Sequence, residues 1–196
     1  MGHVYLDAET TGRRSHGAHI IEVGAVALDD SFREIGAFES MANPGEEAIL
    51  KADPEALRVN GITPEEIRRA PPAAEAAQRL REFLARHWGM EIHAFNNEFD
   101  HWFFAKEPWN VKSVFWGECV MMAAMENMSR ADALKRFADG NEKYPSLAEA
   151  ARFFGVKYEK GHRALPDVRI AAAVHSAVLM ERTAVREASD VIEQGF

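Results

Sequence analysis

Two carboxylates near the start of the sequence are spaced so that they could hold a cation. Asp7 and Glu9 are two positions apart at the end of a predicted strand, so their side chains point to the same face. Carboxylates this close repel one another, because an apolar strand end offers little solvent to screen them. Carboxylate oxygens suit Mg²⁺ and Mn²⁺. From this pair alone an acidic surface loop is the simpler interpretation, and a hard-cation site is the alternative.

Further titratable residues lie at two predicted helix starts. Asp100 lies in the first turn of a predicted helix over 97–106, where an acid also complements the positive end of the helix dipole. Asp167 lies in the first turn of a long predicted helix over 165–187, and His162 lies in the loop just before it. Imidazole titrates near neutral pH, which suits a general base that activates water. This spacing predicts that the histidine and the acid converge on one helix end.

The elements that must position these residues form an α/β pattern. Predicted strands cover 4–6, 20–28, 32–40, 91–95 and 111–116. Predicted helices cover 73–88, 97–106, 118–138, 146–154 and 165–187, with short helices in the proline-rich stretch 46–72. This order predicts one mixed five-stranded sheet flanked by helices. Active sites of such sheets lie at the carboxyl ends of central strands, which is where the first two acids stand.

Composition restricts the class of protein. The chain has 196 residues, of which 47% are hydrophobic and 28% charged, and its formal net charge is −8. These values are typical of an ordinary globular domain, and net acidity argues against a protein that coats duplex DNA through a basic face. The single cysteine, Cys119, excludes an intramolecular disulfide. Because no apolar run could span a membrane and no signal-peptide pattern is present, we expect a cytoplasmic protein without a membrane partner.

Three segments, taken in order, resemble the DEDDh exonucleases, the DnaQ-like branch of the ribonuclease-H-like fold. They are Asp-x-Glu-Thr-Thr-Gly after the first strand, Asn-x-x-Phe-Asp at one helix start and His-x4-Asp at another. The family includes the proofreading epsilon subunit of bacterial DNA polymerase III, ribonuclease T and oligoribonuclease. The resemblance spans residues 4–180, although Phe95 and Asn60 stand where many members have histidine.

The resemblance implies a fold and a set of residue roles. It implies a ribonuclease-H-like exonuclease domain over 1–183, followed by a C-terminal tail over 184–196. Two divalent cations, Mg²⁺ or Mn²⁺, would be held by four carboxylates, those of Asp7, Glu9, Asp100 and Asp167, and His162 would be the general base. Residues expected around the terminal nucleotide are Ala8, Thr10, Thr11, Gly12, Ile62 and Asn96. Phosphate contacts proposed from charge alone are Arg13, Arg14, Lys160 and Arg163.

The implied activity is that of a metal-dependent 3′–5′ exonuclease acting on single-stranded 3′ ends and releasing nucleoside 5′-monophosphates. The Glu-Thr-Thr-Gly segment resembles the proofreading group, so DNA is favoured over RNA, and the chain could be a polymerase subunit or a homodimer. An exoribonuclease with the same chemistry is the first alternative, because some RNA-acting relatives carry the same segment. A catalytically inactive nucleic-acid-binding adaptor is the second, and a purely structural acidic site is the third. The adaptor would have no need for a repulsive acid cluster.

Overall fold

The computed structural model describes residues 2–112, 115–158 and 162–193, with side chains described as far as Val185. The strands are β1 His3–Thr10, β2 Ile20–Leu28, β3 Glu34–Met41 and β4 Glu91–His93. The helices are α1 Glu46–Leu50, α2 Pro54–Asn60, α3 Pro64–Arg69, α4 Ala73–Arg86, α5 Asn97–Phe104, α6 Val120–Arg130, α7 Leu147–Phe153 and α8 Ala164–Glu193. A single 3-10 turn, Arg14–His16, follows β1.

The strands form one mixed sheet with the order β3-β2-β1-β4, which confirms the predicted α/β class. β1 pairs antiparallel with β2 and parallel with β4, and β2 pairs antiparallel with β3. β1 therefore lies inside the sheet, and its carboxyl end opens beside the start of α5. β2 is buried along its whole length.

The predicted fifth strand over 111–116 was wrong for the described residues. Within that part of the chain, only a single parallel bridge joins Ile92 to Trp116. A side chain takes over the backbone partners that a longer ladder would have used. Asn97 Oδ1 accepts from the Ala94 amide at 2.7 Å, and Asn97 Nδ2 donates to the Gly117 carbonyl at 2.9 Å.

Helices cover both faces of the sheet and enclose two hydrophobic cores. On one face, Val4 and Leu6 of β1 pack with Leu80 and Phe83 of α4 and with residues of α5. On the other face, Tyr5 of β1 packs with residues of α6, α7 and α8. The alternation along β1 directs its odd-numbered residues toward α8, as period-two strand geometry requires. This is the face that carries Asp7 and Glu9.

Two predicted helix boundaries were wrong. The helix predicted over 118–138 ends at Arg130, because the chain reverses at Asp132, a residue with a φ of 50° in the left-handed region. The last helix begins at Ala164, one residue before the predicted start, and continues to Glu193, beyond the predicted end at residue 187. The predicted domain boundary at residue 183 stays a prediction. No helix in the described ranges is both long and apolar enough to cross a membrane.

Close contact between α8 and the sheet depends on a glycine. Gly24 of β2 lies opposite Asp7 of β1. A Cβ added at Gly24 would lie 2.4 Å from both the carbonyl carbon of Ala164 and the amide nitrogen of Leu165. Because these are backbone atoms, they could yield only if the start of α8 moved. The absence of a side chain at Gly24 therefore brings the amino end of α8 against the acids of β1.

We expect Gly24→Ala to lower the free energy of unfolding by about 1–3 kcal/mol, the usual cost of overpacking a buried site. Gly36→Ala is the matched control on β3. Its added Cβ would meet the end of the His87 side chain at 2.9 Å, and that side chain can rotate away. Urea denaturation of both variants measures the difference. Equal stability losses would contradict the assigned contact between Gly24 and α8.

Candidate active site

The two acids of β1 stand where the strand runs out of the sheet, close to other carboxylates. Asp7 and Glu9 are both half-buried and project from the same side of β1. Burial, with repulsion from Asp100 and Glu9, raises the pKa of Asp7 well above its ordinary value. Burial, with repulsion from Asp167, raises the pKa of Glu9 to about 7. The structure thus brings the predicted acids of β1 together with those of the two helix starts.

Asp100 is held by the first turn of α5. The Asn96 side chain caps this helix by accepting from the Phe99 amide at 3.4 Å. Phe103 and Phe104, which follow on the same helix, lie in the core and fix its orientation. Asp100 is only 3% exposed, and burial raises its pKa well above the ordinary value. A buried and repelled carboxylate of this kind is destabilising without a cation nearby.

Asp167 and His162 lie together at the start of α8, as the spacing predicted. His162 Nδ1 is 3.9 Å from Asp167 Oδ2, and the His162 side chain is 48% exposed. Asp167 is 6% exposed, and burial, with repulsion from Glu22, raises its pKa to about 6. The histidine therefore lies at the solvent side of the acid cluster, while Asp167 lies inside it.

Unsatisfied oxygens show that the acid cluster suits cations. Asp100 Oδ1 and Asp167 Oδ1 are buried and have no hydrogen-bond partner among the described residues. Buried polar atoms without partners are uncommon in folded proteins, and each calls for an explanation. Carboxylate oxygens of this type are the ligands that Mg²⁺ and Mn²⁺ prefer. The four acids thus fit a site for divalent cations.

The sequence interpretation missed Glu22, which positions the start of α8. This carboxylate is fully buried in β2, opposite Glu9. Both of its oxygens accept from Arg163 Nε at 2.9 Å, and Arg163 Nη2 also bonds to it. Glu22 Oε2 accepts in addition from the Ala164 amide at 3.1 Å. One acid within an otherwise apolar strand was the signal that could have identified it.

Two of the basic residues proposed for phosphate, Arg163 and Arg14, have partners within the described residues. Arg163 pairs with Glu22, so its charge already has a structural role, and phosphate binding by it stays a prediction. Arg14 Nη2 is 2.8 Å from Glu98 Oε1 at the surface. Lys160, also proposed for phosphate, lies outside the described residues.

The segment after β1 is shaped by its own hydrogen bonds. Thr10 Oγ1 donates to the Gly12 carbonyl at 2.7 Å, and Thr11 Oγ1 accepts from the His19 amide at 2.9 Å. Asn60 donates to the Thr10 carbonyl at 3.3 Å and accepts from the Ile62 amide at 3.0 Å. Ile62 is thereby held beside the segment. It is buried, with 2% exposed, so little of it is open to a ligand.

The predicted nucleotide-binding residues consequently lie near the acids, but several serve the fold. Ala8 packs into the core beneath the sheet, and Asn96 caps α5. Gly12 has a φ of 151°, and a Cβ there would lie 3.2 Å from Asp53 Cβ. Contact with a nucleotide stays a prediction for every residue of the set.

The mixed sheet and the convergent acids define a protein of the exonuclease type. A family model described as exonuclease, the RNase T family, matches residues 4–175. The chain belongs to this exonuclease family, which confirms the resemblance to DnaQ-like exonucleases.

Curated relatives and a solved structure agree with this assignment. The chain is 33% identical over 102 residues to the DNA polymerase III subunit epsilon of Pasteurella multocida, covering 50% of the chain and 38% of the relative. It is 34% identical over 119 residues to the same subunit of Haemophilus influenzae, covering 56% of the chain and 44% of that relative. The chain thus matches less than half the length of these relatives. The structure of E. coli exonuclease I in complex with a dT13 oligonucleotide is similar with a TM-score of 0.72 and 20% identity, over 97% of this chain and 43% of that one.

We expect the contribution of Glu9 and Asp167 to the stability of the metal-free chain to fall as pH rises from about 4 to 7. The raised pKa values of Glu9, about 7, and Asp167, about 6, mean that these two groups bind more protons in the folded chain than in the unfolded chain in this range. Their contribution is therefore greatest where they are protonated and is lost as they ionise.

Thermal unfolding between pH 4 and 7 checks this, because Glu9→Gln, and wild type with Mn²⁺, should each lose less stability with rising pH than metal-free wild type does. Thr63→Ser, at a surface helix cap, is a control expected to keep the wild-type slope. A wild-type slope in Glu9→Gln would show that Glu9 does not titrate as assigned.

Proposed function

We propose that the chain is a metal-dependent 3′–5′ exonuclease that hydrolyses phosphodiester bonds at single-stranded 3′ ends. The observation that carries this proposal is the convergence of four carboxylates at one end of β1, where two buried oxygens have no partner among the described residues. Such a cluster weakens the fold of the polypeptide alone, so its presence favours a functional role. Membership of the exonuclease family supports the same reaction class.

The four acids would hold two divalent cations, Mg²⁺ or Mn²⁺. Bound cations would supply charge stabilisation to the attacking and leaving oxygens of a phosphodiester. The protein contributes the rigid placement of the ligands, because Asp7 is fixed by the sheet and Asp100 by the first turn of α5. Asp167 is fixed by α8, which is anchored at Glu22.

His162 would act as the general base. Its half-exposed ring lies at the mouth of the acid cluster, 3.9 Å from Asp167, where it can take a proton from water and pass it to solvent. The neighbouring carboxylate would stabilise the imidazolium that forms. The product would be a nucleoside 5′-monophosphate.

We propose DNA rather than RNA as the preferred substrate. The two relatives are named as epsilon subunits of a DNA polymerase, and the similar exonuclease I structure holds a dT13 oligonucleotide. These names also support a polymerase as the partner of the chain, with a homodimer as the alternative. An exoribonuclease keeps the same site and is the first competing function. The expectation of a cytoplasmic protein stays a prediction.

We expect matched single-stranded DNA and RNA, labelled at either end, to be shortened from the 3′ end in Mg²⁺ or Mn²⁺ but not in EDTA. Asp7→Ala should abolish mononucleotide release and weaken Mn²⁺ binding, because the site loses its central ligand. The same change should keep or raise the metal-free melting temperature, because repulsion among the acids falls.

The ratio of the DNA and RNA rates distinguishes the deoxyribonuclease from the exoribonuclease. Tight oligonucleotide binding without release of product would favour the inactive adaptor. Wild-type turnover in Asp7→Ala would remove this acid from the catalytic site.

We expect His162→Ala to lose most turnover, by about 10²–10⁴-fold as is usual for a general base, while it keeps its Mn²⁺ affinity. Its residual rate should also lose the wild-type dependence on pH near neutrality. Turnover from pH 6 to 9 and calorimetric Mn²⁺ titration separate these effects. His16→Ala is a surface control that should behave as wild type. A wild-type pH profile in His162→Ala would exclude the residue as the base.

A further inference from the structure

A second cluster of metal-binding side chains lies at the other end of β1. His3 is at the start of β1, while Glu91 and His93 are on β4. The parallel pairing places His3 opposite Glu91 and Tyr5 opposite His93, so the three side chains share one face of the sheet. One ligand atom from each of the three residues lies within 4.8 Å of the other two.

The separations suit a small transition-metal ion. His3 Nδ1 is 3.1 Å from His93 Nε2, and His93 Nε2 is 3.6 Å from Glu91 Oε2. Tetrahedral zinc, with bonds of about 2.0–2.2 Å, holds its nitrogen and oxygen ligands about 3.3–3.5 Å apart. The observed spacing is close to this range without any movement of the backbone.

A backbone carbonyl determines which nitrogen of His93 is available. His93 Nδ1 lies 2.9 Å from the Glu118 carbonyl oxygen, which can only accept a hydrogen bond. Nδ1 therefore carries the proton, and the lone pair is left on Nε2, the atom that faces His3 and Glu91. A histidine that donates its other ring N–H to a backbone carbonyl is the usual arrangement among metal ligands.

The surroundings of His3 and Glu91 also suit a metal site. The His3 ring stacks on Phe32 with ring centroids 5.1 Å apart, which limits its rotation. Glu91 supplies a negative charge and is 36% exposed, so water can reach the cluster.

Space for this cluster depends on Gly117, which follows Trp116, the residue that bridges to Ile92 of β4. A Cβ at Gly117 would lie 2.4 Å from His93 Cε1 and 3.0 Å from Glu91 Oε2. Any side chain there would displace both groups. The glycine thus admits the buried His93 ring in its observed position.

We propose that His3 Nδ1, His93 Nε2 and a Glu91 carboxylate oxygen bind one Zn²⁺, with water as the fourth ligand. Two imidazoles and one carboxylate favour zinc over Mg²⁺ or Mn²⁺, so this site differs in ion preference from the all-carboxylate cluster. The ion would join β1 to the short strand β4, which leads into α5 and Asp100. This inference does not depend on the proposed nuclease activity.

The test uses the full chain carrying Asp7→Ala and Asp167→Ala, which removes two of the four acids of the cluster and weakens its competition for metal. Calorimetry with Zn²⁺ in excess Mg²⁺ should give one bound ion. Co²⁺ in its place should give the visible absorption of a tetrahedral complex. Adding Zn²⁺ should raise the melting temperature of this parent.

His3→Ala and Glu91→Gln, each added to the parent, should weaken Zn²⁺ binding at least tenfold, and His16→Ala should not. These two partly exposed residues are chosen because replacement of the buried His93 endangers the fold. Circular dichroism of each variant verifies folding. Absence of Zn²⁺ binding in the parent, or undiminished binding in both variants, would overturn the proposal.

Discussion

The buried carboxylate of Glu22 is the interaction on which the placement of the acid cluster depends. It lies in a strand with no exposed residue, and it is bonded by the Arg163 guanidinium and the Ala164 amide. Glu22 is fully buried whereas the Arg163 side chain is 47% exposed, so loss of Arg163 would leave the Glu22 carboxylate buried without its counter-charge, which is destabilising. The chain is therefore held at Glu22 just where α8 begins. Asp167 lies one turn further along the helix and His162 lies one residue before Arg163, so a single anchor orients both.

Buried carboxylates with opposite roles lie close to Asp7 in the folded chain, although they are far apart in the sequence. Glu22 has its hydrogen bonds and its counter-charge within the chain. Asp100 and Asp167 each keep one buried oxygen without a partner in the described part of the chain. Burial is common to the three residues, so it does not identify a functional acid by itself. The unsatisfied oxygens distinguish Asp100 and Asp167 from Glu22, because a bound cation would supply the partner that they lack.

The sequence was sufficient for features that depend on local patterns. The acids at the end of β1 and at the starts of α5 and α8 follow from strand period, helix starts and family motifs, and the structure brings them together. Features that depend on distant pairing could not be read in this way. Arg163 and Glu22 are 141 residues apart, so Arg163 was interpreted from its charge alone as a phosphate contact. The fifth strand was overestimated because the Asn97 amide binds the Ala94 amide and the Gly117 carbonyl, so backbone pairing stops after the bridge at Ile92.

The strand period also explains why β1 can serve two kinds of ligand. Its odd-numbered residues face α8, so imidazole, phenol and carboxylate side chains follow one another along a single face. His3 and Asp7 are four residues apart, which corresponds to about 13 Å along an extended strand. The two ends are thus separate in space, and the ligand type at each end would decide which cation it prefers. Their mechanical connection is β4, which pairs with the first part of β1 and continues into the helix that holds Asp100.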